Sequence, residues 1–464
     1  MKQRLAKLIP AGSVVLGVTT LASYLLGLVR DHYFAHIFGA TRALDAYNAA
    51  FLIPDLLFNI LVASGIAAAF VPIFTELLKR DTRDTRRADQ YANSVITAAT
   101  GSMIITALVI IIFASPISAL VVPGFNLADR ELVAKILRLL ALSPLFFGAS
   151  NALGAMLVVK RRFLFYGLSP VLYNLGIIGG TIFLAPRFGI MGVAFGTVAG
   201  AFLHFAVRFF DVRRLGFVAK LNFSFKTAEF KQTLRLMLPK MFGHPIELLT
   251  FWAFTAIGST LIPGSVAVIS FARNFESVPV SLIGITIATT TFPILALTIV
   301  DRSIDRFRKT LKNSFLLIFF TSIAAALVTF WVRGPLIRVA LGGGAFNAND
   351  IARTAATLGM FALAIPTEAA IQLLARAFYA TKNTIIPVVL SIVGFIISVG
   401  GAYLLVPRYE ILALPLGFFI GSAVELILAA GLISFRTRHL FARVSQEEHA
   451  SQEEHVSQNE QDGF

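Results

Sequence analysis

Charged side chains interrupt several long apolar stretches of this sequence, and their chemistry needs an explanation. Arg30 and Asp31 follow seventeen uncharged residues, from Ser13 to Val29. An ionisable group inside a membrane span is costly and indicates a functional site. Arginine suits a diphosphate, because its planar guanidinium donates two parallel hydrogen bonds to phosphate oxygens. Further candidates lie in later apolar stretches: Asp45, Lys240, Glu247, Arg273 and Arg376.

The same charges also fit structural ion pairs or anchors for lipid headgroups. Arg30 beside Asp31 could form such a pair. A structural role and a functional role are equally compatible with four other acids: Asp55, Glu276, Glu368 and Glu425. Catalytic alternatives have less support. The chain has no cysteine, and its seven histidines show no metal-binding spacing. The sequence therefore predicts a protein that is not an enzyme, with no metal site and no cofactor.

The elements that carry these charges are membrane helices. The chain is 57% hydrophobic and 14% charged, whereas soluble domains carry about 25% charged residues. A bilayer is crossed by about 20 apolar residues in a helix. The sequence predicts an all-α polytopic membrane protein with about twelve spans, at 13–38, 44–78, 91–121, 132–159, 163–186, 190–212, 233–261, 266–300, 308–332, 354–380, 384–406 and 411–435.

Basic residues alternate between the two sides of this arrangement. Of 40 lysines and arginines, 26 fall at the termini and in the loops of one side, and seven fall in the opposite loops. The positive-inside rule then places both termini in the cytoplasm. Topology and anionic lipid headgroups explain the net charge of +15 better than nucleic acid does. Membrane lipids are therefore expected partners, and nucleic acid is not.

Landmarks of the first half recur in the second half at a constant separation along the chain. Pro72 corresponds to Pro293, Phe125 to Phe346 and Asp129 to Asp350. We call the separation of Pro72 from Pro293 the repeat offset. A fixed period indicates duplication. An even number of spans per copy gives parallel repeats, which in transporters enclose a cavity and move around it. We therefore expect two six-helix bundles around a central cavity.

The predicted domains follow from this duplication. An N-terminal six-helix lobe covers 1–212, and a C-terminal six-helix lobe covers 233–435. The connection 213–232 alternates apolar and basic residues, so an amphipathic linker on the cytoplasmic membrane surface is expected. The tail 436–464 is cytoplasmic, and from about residue 444 it repeats a polar, acidic hexapeptide that is expected to be largely disordered.

The opening of the chain resembles a known family. The resemblance is carried by Leu26-Gly27-Leu28-Val29-Arg30-Asp31, Ile37-Phe38-Gly39-Ala40, Asp45-Ala46-Tyr47 and Ala69-Phe70-Val71-Pro72, and continues in order through Pro123-Gly124-Phe125, Ser169-Pro170, Phe271-Ala272-Arg273-Asn274 and Ala377-Phe378-Tyr379-Ala380. These blocks look like the MurJ/MviN family of lipid II flippases, which belongs to the multidrug/oligosaccharidyl-lipid/polysaccharide exporter superfamily. The resemblance covers nearly all of the predicted spans.

The resemblance implies a function. Such proteins move lipid II, an undecaprenyl-diphosphate carrying a disaccharide-peptide, from the inner to the outer leaflet of the bacterial cytoplasmic membrane for cell-wall synthesis. Substrate binding is then expected at Arg30, Asp31, Asp45 and Arg273, and a cavity or coupling role at Lys240, Glu247 and Arg376. Cell-wall synthesis proteins are expected partners. The membrane potential or a coupling ion would drive the cycle.

The chain departs from the family pattern at several positions. Well-known members carry charges where this chain has Tyr24, Phe58, Asn59 and Ser64. Many also have fourteen spans, the last two of which form a groove for the lipid tail, so the route of the tail is open here. Three alternatives stay open. The first is a flippase for another polyprenyl-linked glycan. The second is a drug/cation antiporter. Acidic residues would be expected to dominate its cavity, whereas Arg30 and Arg273 favour an anionic substrate. The third is a membrane scaffold without transport, which would leave the Arg30-Asp31 block unexplained.

Overall fold

The structure, a computed structural model, describes residues 11–80, 85–243 and 246–461. Within those ranges the chain is helical almost throughout, and its β contact is an isolated bridge between Gly343 and Phe346. The predicted all-α polytopic fold is confirmed.

The first half, as far as the structure describes it, consists of helices joined by short loops. Two π-helical segments, Asn59–Ala63 and Gly180–Leu184, continue the second and eighth helices. The α-helices are α1 (Ala11–Phe38), α2 (Arg42–Phe58), α3 (Ser64–Arg80), α4 (Arg86–Ile112), α5 (Ala114–Val121), α6 (Leu127–Leu140), α7 (Ser143–Val159), α8 (Phe163–Gly179), α9 (Ala185–Phe188) and α10 (Ile190–Arg214).

The second half follows the same order. A π-helical segment, Val280–Ile285, lies between its third and fourth helices, and short 3₁₀ turns cover Ala362–Ala364 and Glu410–Leu412. The α-helices are α11 (Ala228–Gly243), α12 (Ile246–Ser259), α13 (Ser265–Pro279), α14 (Thr286–Val300), α15 (Ile304–Leu341), α16 (Ala348–Phe361), α17 (Ile365–Ala380), α18 (Ile385–Tyr409) and α19 (Ala413–Gln461).

The number of spans agrees with the sequence. Among the described residues, ten helical stretches are long and apolar enough to cross a membrane. One of them, Ile385–Thr437, contains α18 and the start of α19 and so corresponds to two predicted spans. The predicted span 233–261 corresponds to α11 and the shorter apolar helix α12. A plan of about twelve helices therefore fits the structure.

The duplication is visible in the backbone itself. The π-helical segments that begin at Asn59 and Val280 are separated by the repeat offset. Arg161 and Lys382 are separated by the same offset, and they have positive φ angles of 58° and 57°. Wide turns and left-handed residues are uncommon, so their recurrence at one offset supports two copies of one helical unit.

A third matched pair leads to a stability prediction. Gly189 (φ 55°, ψ −139°) and Glu410 (φ 48°, ψ −126°) occupy the same unusual conformation at equivalent positions of the two copies. A side chain in that region costs about 1–3 kcal/mol. We expect Glu410→Gly to raise the thermal unfolding temperature of the detergent-solubilised protein, and Gly189→Ala to lower it. An unchanged unfolding temperature in both variants would contradict this interpretation.

The packing divides the chain into two compact units. One contains Met1–Ser270 and Leu336–Arg353, and the other contains Phe271–Pro335 and Thr354–Phe464. In the first unit the core surrounds Phe70, which stacks on Phe74 and Tyr91. In the second unit the core contains Phe307, Leu373 and Phe378. The units differ from the predicted lobes, because α11, α12 and the segment 336–353 pack within the first unit.

The linker is anchored to α4. After α10 the chain turns at Gly216, which has a φ of 87°, and runs extended toward α11. The Asn93 side chain binds the carbonyl of Val218 and the N–H of Lys220, and Thr97 accepts from the N–H of Asn222. On the outer side of the linker Leu221 and Phe223 are exposed by 81% and 69%. This alternation suits the membrane-surface position predicted for the linker.

The tail differs from the sequence expectation. The composition predicts disorder from about residue 444, but α19 continues as a helix to Gln461. The repeated glutamate, glutamine and alanine are good helix formers. Their local propensity, added to an existing helix that needs no new nucleation, explains the extension.

Candidate functional site

Arg30 and Asp31 form an ion pair on α1, in the first unit. The Arg30 Nε and Nη2 atoms donate to Asp31 Oδ1 at 3.0 and 2.8 Å, and Nη1 lies 3.5 Å from Asn174 Oδ1 on α8. Asn174 is itself held by a bond of 3.2 Å to Ser23 Oγ. The Arg30 side chain keeps 26% of its surface exposed, whereas Asp31 keeps 5%.

This arrangement orients Arg30 without using all of its donors. A guanidinium has five N–H groups, and here two of its nitrogens converge on one carboxylate oxygen. The guanidinium also lies 5.7 Å from the centre of the Phe34 ring. A partly exposed, pre-oriented guanidinium can bind an incoming phosphate at a small entropic cost. The predicted substrate role of Arg30 is compatible with this geometry and stays a prediction.

Asp45 has a different set of partners from those expected of a substrate ligand. Its Oδ2 accepts from the Gly264 N–H at 2.7 Å, and its Oδ1 accepts from the Ala267 N–H at 2.8 Å. The side chain is fully buried. Gly264 immediately precedes α13, and Ala267 lies in its first turn. A carboxylate at a helix N-terminus satisfies unpaired N–H donors and interacts favourably with the helix dipole. We call Asp45 and these two N–H groups the Asp45 clamp.

Other contacts around the Asp45 clamp join the same segments. The Ala345 N–H donates to the His36 carbonyl at 2.8 Å, and Arg353 donates to Ser265 Oγ at 2.9 Å. Gly264 lies so close to Ala40 that an added Cβ would be 2.0 Å from the Ala40 carbonyl oxygen. The loop between α1 and α2 is therefore packed directly against two segments from the second half of the sequence. Asp45 stays a predicted substrate residue, but in this structure both of its oxygens are occupied.

Arg273 lies on α13 in the second unit and is surrounded by acids. Its Nη1 and Nη2 donate to Glu368 on α17 at 2.8 and 2.6 Å, and Nη1 also contacts Glu276. The Phe418 ring centre lies 5.2 Å away. Two carboxyl groups around one guanidinium leave no excess positive charge for a diphosphate. The substrate role of Arg273 stays a prediction, and it requires rearrangement of this cluster.

The three remaining candidates are not brought into a common site by the described contacts. Arg376 donates to Thr289 Oγ1 at 3.0 Å and to Gln372. Glu247 is exposed on α12. The Lys240 side chain lies outside the described part of the chain. Among the described residues no group of three or more potential metal ligands occurs.

Fold and charge together define a class of protein. A duplicated all-helical membrane unit with ionisable side chains inside its spans is typical of exporter-type transporters. Comparison with known proteins gives the family. The model of the family "Lipid II flippase MurJ" matches residues 34–450, so this chain belongs to that family.

Relatives and solved structures agree with this assignment. The chain is 27% identical to a probable lipid II flippase MurJ of Borreliella burgdorferi, covering 87% of this chain and 79% of the relative. It is 26% identical to the lipid II flippase MurJ of Burkholderia cenocepacia, covering 89% and 81%. A MurJ structure in an inward closed conformation superposes with a TM-score of 0.78 at 22% identity, covering 93% of this chain and 90% of that one.

A second solved structure shares the fold. An inward-facing multidrug transporter of the MATE family superposes with a TM-score of 0.74 at 16% identity, covering 92% of this chain and 98% of that one. The resemblance to the family that the sequence motifs predict is confirmed.

Proposed function

We propose that this protein moves lipid II from the inner to the outer leaflet of the bacterial cytoplasmic membrane by alternating access, to supply cell-wall synthesis. The observation that carries the proposal is the family match over residues 34–450. The match includes Asp45, and Arg30 and Asp31 lie immediately before it. The multi-pass helical architecture supports the same conclusion.

The chemistry of lipid II explains why such a carrier needs Arg30. The disaccharide-peptide headgroup and the diphosphate cannot cross hydrocarbon unaided, because buried polar and charged groups are costly. A cavity between two bundles would let the headgroup cross in water while the lipid tail stays in the bilayer. Arg30, oriented by Asp31 and Asn174, would donate charge-assisted hydrogen bonds to the diphosphate.

The Asp45 clamp supplies one closed state of the cycle. With the basic loops facing the cytoplasm, Asp45, Gly264 and Ala345 lie at the outer end of their helices. Hydrogen bonds to a charged group contribute about 1.5–3 kcal/mol each. Hydrogen bonds of this strength can hold the outer end closed and can still break during the transport cycle. Release of lipid II on the outside requires that these contacts separate.

The membrane potential is an available driving force. It is worth about 2.3 kcal/mol per elementary charge for each 100 mV. An inside-negative potential favours outward movement of an anionic diphosphate, and it favours return of an unloaded cationic cavity toward the inside. No coupling ion is needed for this cycle, although one could add to it.

The orientation can be tested by cysteine labelling, because the chain has no cysteine of its own. Lys309→Cys, at the basic start of α15, should be shielded from an impermeant thiol reagent in intact cells. Ala348→Cys, at the exposed start of α16, should react. Both should react in permeabilised cells. Labelling of Lys309→Cys in intact cells would reverse the proposed topology.

The function itself is tested in a bacterium depleted of its own lipid II flippase. Expression of this chain should prevent lysis and restore lipid II at the outer surface, measured by its accessibility to an external enzyme. A vector control should lyse. If the protein reaches the membrane at normal levels but lipid II stays inside, the proposal fails. Restored export of a different polyprenyl-linked sugar in that case would identify a glycan flippase.

A further inference from the structure

A groove opens on the second unit at the basic end of α15. Its volume is about 430 Å³, within the size range of ligand sites. The floor is apolar and buried, with Phe307, Leu374 and Ile433 exposed by 0, 2 and 2%. Phe315 and Ala430 continue the walls along α15 and α19. From Phe307 to Phe315 the groove follows α15 for about 12 Å, at 1.5 Å per residue.

The rim of the groove is cationic. Arg308 and Lys312 line it from α15 and are exposed. Their spacing of four residues places both side chains on one face of the helix. Over the described part of the chain, no acidic group lies within ion-pair distance of either residue. An apolar groove with two cationic side chains at one end is complementary to an amphiphile that has a negatively charged headgroup.

The first half of the chain contains the same groove, but there the protein fills it. Leu153 and Val212 are the counterparts of Leu374 and Ile433 at the repeat offset, and they belong to one buried cluster. In that half the chain turns back at Gly216, and Phe217 and Phe230 complete the cluster. In the second half Thr437 takes the place of Gly216, and α19 continues as a helix. The second groove therefore lacks the segment that closes the first.

We propose that this groove binds one anionic phospholipid from the leaflet at the basic end of the helices. The acyl chain lies along Phe315, Leu374 and Ile433, and the phosphate lies between Arg308 and Lys312. The polar tail of this chain is a poorer occupant, because residues 445–461 contain only two apolar side chains, Ala450 and Val456. This inference does not depend on which substrate the protein transports.

The test uses the purified full-length protein, delipidated in mild detergent. When phosphatidylglycerol is added back, native mass spectrometry should detect one tightly bound molecule. Phosphatidylcholine with the same acyl chains should bind at least tenfold more weakly. Arg308→Ala/Lys312→Ala should lower the affinity for phosphatidylglycerol about tenfold or more, because each basic residue near a membrane surface contributes to the free energy of binding an anionic lipid. The matched control Arg306→Ala/Lys309→Ala, on the same helix but outside the groove, should change it less than twofold.

A second variant tests the apolar part of the site. Ala430→Phe introduces a phenylalanine into the groove. The corresponding position of the first half is Phe209. It should block phosphatidylglycerol binding while both basic residues remain. Equal binding of the two lipids, or unchanged binding by Arg308→Ala/Lys312→Ala, would overturn the proposal. A several-fold gain in phosphatidylglycerol binding after truncation at Ser445 would also overturn it, because the tail would then be the natural occupant.

Discussion

Arg30→Ala is expected to abolish rescue of a flippase-depleted cell. The substitution removes charge-assisted hydrogen bonds worth about 1.5–3 kcal/mol each, so loss of two such bonds should lower the transport rate by about a hundredfold or more. Arg30→Lys should retain partial activity at best, because an ammonium group keeps the charge but lacks the planar fork. Transport is measured as the rate at which lipid II becomes accessible at the outer surface, at matched membrane levels.

The ion pair with Asp31 makes a control necessary. Removing one partner of a buried pair can cost about 3–5 kcal/mol of stability by itself, and Asp31 is 5% exposed. The double variant Arg30→Ala/Asp31→Ala removes both charges, so it should regain thermal stability without regaining transport. Arg138→Ala, on the exposed side of α6, should transport normally. Recovery of transport by the double variant would show that Arg30 has a structural role and does not bind the substrate.

Asp45→Ala is expected to open the end of the first unit that the Asp45 clamp closes. The variant leaves the Gly264 and Ala267 N–H groups without their acceptor, which is buried in the parent protein. Loss of a helix N-cap costs about 0.5–2 kcal/mol, and the lost charge adds to this. The closed state should become less populated, and transport should fall at least tenfold if closure is required in each cycle.

The change can be measured directly at Ala40, which is 8% exposed and packs against Gly264 in the closed arrangement. In an Ala40→Cys background, Asp45→Ala should increase the rate of reaction with an impermeant thiol reagent. Asp129→Ala is the matched control, because Asp45 and Asp129 both approach Arg42 at 3.6 Å, but Asp129 keeps 25% exposure. It should change the rate little. Equal labelling rates with and without Asp45 would refute a closing role.

The features predictable from sequence are those with a regular signal. The spans follow from apolar length, the repeat from recurring prolines, and the Arg30–Asp31 pair from two adjacent opposite charges. The Glu276 contact to Arg273 is accessible in principle, since three residues separate neighbours on one helix face. The Glu368 contact is not, because Glu368 lies 95 residues from Arg273 in the sequence.

The Asp45 clamp shows why other parts of the site escape sequence reasoning. Its donors are backbone N–H groups 219 and 222 residues further along the chain. Every residue except proline has such a group, so the side chains at those positions carry no signal of the bond. For the tail, the sequence gives two opposing signals. Its composition indicates disorder, but helix propensity and continuity with α19 act in the opposite direction.

The paired π-helical segments at Asn59 and Val280 have a mechanical consequence. Each wide turn accommodates one extra residue, and one residue corresponds to about 100° of rotation around a helix axis. If such a turn is lost or formed, the helix on one side rotates relative to the helix on the other side without breaking. Asp45 lies on one side of the segment at Asn59, and α3, which carries Phe70 and Phe74 in the core, lies on the other. Each half of the molecule therefore contains, at the same place in its chain, a joint that can turn one end of a span while the other end stays packed.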